Sequence, residues 1–213
     1  MSIDTKKLEN KEHINMLMKF TLVFFCASIY TYVRYIVYGN VNPNHLPTFL
    51  FNKAMSMVAV AYCLIAAIHY GYLKSDISKV KAWGTASLHS AYLHILLSLS
   101  IFGNSYYGKF FSGEKLSLNG ELIIFSGIIA AYCFWLINKT NYVKIYTLQI
   151  LASVFIIIHL IVMGYGGWIK VAKWHGGLPP ISLVSVVMAV IALILFFRKR
   201  DKVEVENAAI VTT

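Results

Sequence analysis

Six stretches of this chain are apolar for long enough to cross a lipid bilayer, and nothing else constrains its fold as tightly. They lie at residues 16–38, 50–72, 83–102, 121–137, 146–163 and 181–197. Each approaches the ~20 residues that carry a helix across a ~30 Å hydrocarbon core. Lipid offers no partner for backbone N–H and C=O groups, so these segments are expected to be helices. Of 213 residues, 58% are hydrophobic and 13% charged, where a soluble domain is nearer half apolar and a quarter charged. The expectation is an all-α polytopic membrane protein, a bundle of six transmembrane helices.

The basic residues orient that bundle. Lys6, Lys7, Lys11 and Lys19 precede or open the first span, and Arg198, Lys199, Arg200 and Lys202 follow the last. Lys74, Lys79 and Lys81 join the second span to the third, and Lys139 and Lys144 join the fourth to the fifth. Only Arg34, Lys53, Lys109, Lys115, Lys170 and Lys173 fall on the other side. The positive-inside rule then places both termini in the cytoplasm. The chain divides into a cytoplasmic arm at residues 1–15, a six-helix domain at 16–198 and a cytoplasmic tail at 199–213. The net charge of +10 follows from this bias and from contact with anionic membrane lipid, and no nucleic-acid partner is expected. The first apolar run is too long for a signal peptide and no cleavage site follows it, so it is expected to be a retained helix. The implied location is a membrane, the bacterial inner membrane.

Several classes of chemistry find no support. Cys26, Cys63 and Cys133 lie one each in three spans without a CxxC, so they are expected to pack as small apolar side chains. There is no GxGxxG, no phosphate-binding loop, no Ser/His/Asp arrangement and no repeat at solenoid periods.

What stands out is histidine inside the spans. The third carries His89 and His94 within SLHSAYLHILLSLSIF, and the fifth carries His159. An ionisable residue in a membrane helix is costly and marks a functional site by default. The third and fifth spans run in the same direction. At 1.5 Å per residue, His94 and His159 lie roughly 17 and 20 Å into them, whereas His89 lies roughly 9 Å deep. His89 is also about 140° around the helix from His94, so the two cannot share a face. The residues one and two turns from His94 include Ser87, Ser90, Ala91 and Ser98, a small and polar face that lets another helix, or a flat macrocycle, come close. Two imidazoles level on different helices can bind the two faces of one haem iron. A proton relay and a packed core pair are the other readings of the same placement. In the haem reading Ser90 or Ser98, each one turn from His94, would take its second N–H, and Arg34 or Lys53 would neutralise a propionate. A snorkelling side chain is the plain alternative for Arg34. His45 and His175 fall in outer loops and His69 near the cytoplasmic interface, where an imidazole is ordinarily solvated. The aromatic loop 103–119 is long enough to cap a site from outside.

The stretches YVRYIVYGN, LPTFLFNKAMS, LHSAYLHILLSLSIF, FIIIHLIVMGYGGW and HGGLPP resemble the pattern of the ferric reductase-like transmembrane domain family over roughly residues 20–197. The resemblance implies b-type haem held by histidines on the third and fifth helices, here His94 and His159, with His89 the rival ligand. Two-haem members carry a second histidine 13 or 14 positions away on each helix. Here those positions hold Val80, Lys81, Tyr107 and Gly108, and Ala172, Lys173, Tyr146 and Ile145, which implies a single haem b. Family members often carry a cytoplasmic flavin and nicotinamide domain. None is visible here, so the resemblance implies a separate flavoprotein or a membrane quinol as electron donor.

Overall fold

A computed structural model describes residues 3–39, 46–73, 77–139 and 145–211. Seven α-helices account for nearly all of it. α1 (Ile3–Tyr32) is followed by a π-helical turn at Val33–Val37, closed by the Tyr38 N–H on the Val33 carbonyl at 3.1 Å. A second π-helical turn, Leu46–Leu50, leads into α2 (Phe51–Gly71). Then come α3 (Ile77–Ser100), the short α4 (Asn104–Tyr107), α5 (Leu118–Lys139), α6 (Ile145–Trp168) and α7 (Ile181–Val211). Five helical segments are long and apolar enough to span a membrane, and α3 with its bent continuation makes a sixth. The expected helix bundle is therefore present, although α1 and α7 run well beyond their apolar parts, through the arm and tail.

α2 is the centre. Half of its apolar window is buried, against 11% for α1, because α2 packs on α1, α3 and α7. α7 packs in turn on α6, and α6 on α5, while α3 meets α5 only sparingly. At one end Phe20, Tyr62 and Trp83 tie α1, α2 and α3 together, Phe20 edge to face with each of the other two, with ring centres 4.5–5.4 Å apart. Small residues let the central helices approach: Ala67 on α2, Ala152 on α6 and Ala192 on α7 share one cluster with Cys63 and Phe196. All three cysteines are free; Cys63 and Cys133 are buried as expected, whereas Cys26 lies exposed on the outer face of α1. The outer faces are apolar, with Leu22, Phe25, Ile29, Ile128, Val187 and Ile194 all exposed. That surface suits lipid and would be a liability in water.

At one end the chain turns sharply after α3. The axis bends by 109° between Ile77–Ser100 and Asn104–Phe110, so α4 and the following turn lie across the end of the bundle as a cap. A two-stranded hairpin returns the chain, β1 (Phe111–Ser112) on β2 (Lys115–Leu116), through Gly113 in the left-handed region at φ +65°. The Ser117 N–H then donates to the Phe110 carbonyl at 2.9 Å, and its hydroxyl caps the first turn of α5 at Gly120 N–H. A Cβ at Gly120 would overlap that same Phe110 carbonyl oxygen. Backbone cannot rotate away as a side chain can, so Gly120→Ala is expected to lift the cap and cost about 1–3 kcal/mol. A fall in the unfolding midpoint of the detergent-solubilised protein would register it, and an unchanged midpoint would show that the cap yields freely.

Candidate functional site

Beneath the cap lies a cavity of about 240 Å³ between α2, α3, α5 and α6. One water needs only ~10–15 Å³ of such space, so this is room for a sizeable organic molecule. Its α3 wall is Ser87, Ala91, His94 and Ser98 with Ile95, Leu99 and Phe102, the repeat of one helical face. Ile156, His159, Leu160 and Met163 come from α6, Ser56, Ala59 and Val60 from α2, and Gly127, Ala130 and Ala131 from α5. Tyr107 and Phe110 of the cap close one end. Walls of alanine, glycine and serine leave the space, and the scant contact of α3 with α5 keeps it open.

His94 and His159 line this one cavity. Their Nδ1 atoms are both committed elsewhere. His94 Nδ1 lies 2.6 Å from the Asn52 side-chain oxygen and 3.2 Å from the Asn52 backbone carbonyl. His159 Nδ1 lies 2.9 Å from the Ile123 carbonyl. Carbonyl oxygens only accept, so each Nδ1 must carry the proton and donate. The tautomer follows: in the neutral ring each Nε2 is left as a bare lone pair. This is the state a metal-ligating imidazole adopts, with its second N–H held by a carbonyl.

Each arrangement has a local cause. Asn52 sits in the first turn of α2, 2% exposed. Its amide nitrogen donates to the Ser98 hydroxyl at 3.0 Å and to the Tyr107 hydroxyl at 3.1 Å. Those two donations fix the orientation of the amide, so its oxygen faces His94. On the other wall, Gly127 lets the His159 ring lie against α5, where a Cβ would stand 3.2 Å from Nδ1. Gly127→Val is expected to push the ring off the Ile123 carbonyl and lower the unfolding midpoint. A variant as stable as the parent, with unchanged ligand binding, would show that the ring is not held there.

Among the sequence-derived candidates, His89 is exposed on α3 and is not on the cavity wall. Ser98 lines the cavity but acts one step removed: its hydroxyl bonds Asn52, and Asn52 takes the His94 N–H that Ser90 or Ser98 was expected to take. The Asn52 amide oxygen accepts from His94, while the Ser98 hydroxyl is already taken up by the same amide. Ser90 is buried away from the wall. Arg34 does not snorkel. It is 4% exposed, and its Nη1 donates to the Leu178 carbonyl at 3.0 Å. Neither it nor Lys53 is on the cavity wall; Lys53 lies over the rings of Tyr35 and Phe49, at 4.7 and 4.1 Å from their centres. His69 stacks on Trp83 with centres 6.5 Å apart, and His175 approaches Tyr35 at 6.1 Å. His45 lies outside the described residues. Reading the sequence missed Asn52, for which an amide in the first turn of an apolar span was the available signal; Tyr107 was read only as part of a capping loop, a place it holds here.

Among the described residues no group of three or more His, Cys, Asp or Glu side chains could hold a metal ion. The donor set is two imidazoles in an apolar chamber. No family model matches the chain, and no curated protein matches it.

Proposed function

We propose that this integral membrane protein binds one haem b between His94 and His159 and transfers electrons across its bilayer. The observation that carries the reading is the pair of fixed tautomers: two histidines from different helices offer Nε2 lone pairs to one apolar cavity. Two protein ligands suit a metal that brings its own equatorial ligands, and a macrocycle explains why the walls between them are small and apolar. The resemblance to the ferric reductase-like transmembrane domain family supports the same assignment.

Haem would supply the one-electron chemistry. The chain's own part is to ligate, orient and exclude water. His94 and His159 would hold the haem iron. Asn52 and the Ile123 carbonyl hold their rings at a fixed rotation and raise their basicity. Phe102, Tyr107 and Phe110 shut the capped end. With the termini cytoplasmic, that capped end faces outward, and electrons enter from a separate flavoprotein or a membrane quinol. The bacterial inner membrane is the setting this implies.

A reduced-minus-oxidised spectrum of the purified protein tests the reading. A b-type cytochrome shows a Soret band and sharp α and β bands. A colourless protein that takes up no added hemin would end the proposal and favour a histidine-based proton relay or a structural membrane subunit.

A further inference from the structure

The capped end gathers three cations that lie far apart in sequence. Arg34 belongs to the π-helical turn after α1, Lys53 to the first turn of α2, and Lys109 to the cap. Tyr35 joins the first two: the Arg34 guanidinium carbon is 5.2 Å, and the Lys53 ammonium 4.7 Å, from its ring centre. Lys109 bonds the Met163 carbonyl and lies over the Phe110 ring at 4.7 Å.

Among the described residues no carboxylate answers these charges. Of the nine acidic residues in the chain, Glu114 and Glu121 alone lie in the segments at this end. Both are exposed, and among the described residues none forms an ion pair with Arg34, Lys53 or Lys109. Arg34 is 4% exposed, and its Nε is buried with no hydrogen-bond partner. Ring faces, with a carbonyl on Arg34 and another on Lys109, soften the charge without cancelling it. Of the three, Arg34 is buried, Lys53 half-buried and Lys109 exposed, so the strongly unfavourable burial of an unpaired cation falls chiefly on Arg34. Such a cluster is expected to be completed by an anion from outside the polypeptide.

We propose that Arg34, Lys53 and Lys109 form a binding site for an oxyanion, a carboxylate or a phosphate, at the capped end of the bundle. A guanidinium N–H beside an ammonium matches the two oxygens of such a group. The aromatic rings leave each cation able to turn toward it. Two sources carry this chemistry: the carboxylates of a cofactor reaching out of the cavity, or the phosphate of a lipid headgroup. The first source rests on the haem reading, while the site itself does not.

The full chain with Lys53→Met and Lys109→Met together tests this. Methionine keeps the apolar stem, and Arg34, which also clamps the Leu178 carbonyl, stays in place. Unfolding midpoints are measured in phosphate-free maltoside detergent in two arms: haem-loaded against haem-free protein, and haem-free protein with and without added phosphatidylglycerol. The expected result is that the parent rises by several degrees in at least one arm and that the double variant loses at least half of that rise. The responding arm identifies the source. If the protein takes up no hemin, the haem reading falls and the lipid arm still decides this one. A double variant stabilised as much as the parent, or a parent that responds in neither arm, overturns the site.

Discussion

Alanine at His94 or at His159 is expected to abolish the low-spin b-type spectrum, whereas alanine at His89 leaves it intact. The cavity is lined by the first two and not by the third, and His89 is exposed. Either single change removes one of two imidazoles, and the donors left on the wall are the hydroxyls of Ser56, Ser87, Ser98 and Tyr107 and the Met163 thioether, none of which restores a bis-histidine spectrum. The loss is therefore expected to be near complete for each variant separately. Membrane extraction yield and helical content, measured on the same variants, separate loss of the ligand from loss of the fold. Bleaching by His89→Ala with retention in His94→Ala would mean that the α3 face is misassigned. Retention in all three would remove haem from the protein.

Leucine at Asn52 is expected to weaken haem retention by about 10–100-fold, the range found when the partner of a metal-bound histidine is removed. Leucine matches the amide in size and offers no acceptor. His94 then keeps only the more distant backbone carbonyl at 3.2 Å. The Ser98 and Tyr107 hydroxyls lose the amide that joins them, and a buried polar group without its partner costs about 1–3 kcal/mol. Aspartate at the same position is the informative counterpart. Its carboxylate accepts the His94 N–H more strongly, makes the ring a better electron donor and is expected to lower the midpoint potential. Hemin titration and a redox titration separate the two variants. If Asn52→Leu holds hemin as tightly as the parent and Asn52→Asp leaves the potential where it was, then Asn52 only packs.

The sequence by itself determined the class of fold. Hydropathy is a sum over neighbours in the chain, and an apolar stretch of twenty residues in lipid must be helical whatever surrounds it. Helix positions could therefore be read directly, as could the isolation of the three cysteines. That His94 and His89 occupy different faces was also legible from helix periodicity, and the structure puts His94 on the cavity wall and leaves His89 exposed. What only the tertiary structure decided is who meets whom. The partner of His94 comes from α2, 42 residues earlier, and the partner of His159 is a backbone carbonyl on α5 exposed by a glycine. Neither leaves a local mark, since the same asparagine or glycine elsewhere on its helix would face lipid or a neighbour. Arg34 shows the same limit from the other side. Its position near a helix end left a snorkelling side chain and a cofactor-facing cation both open, and its burial follows from the 178–180 turn folding back onto it, with the Leu178 carbonyl on the guanidinium and the Pro179 carbonyl on the Tyr30 hydroxyl at 2.6 Å. Periodicity sets the face a residue occupies, and only packing sets what that face touches.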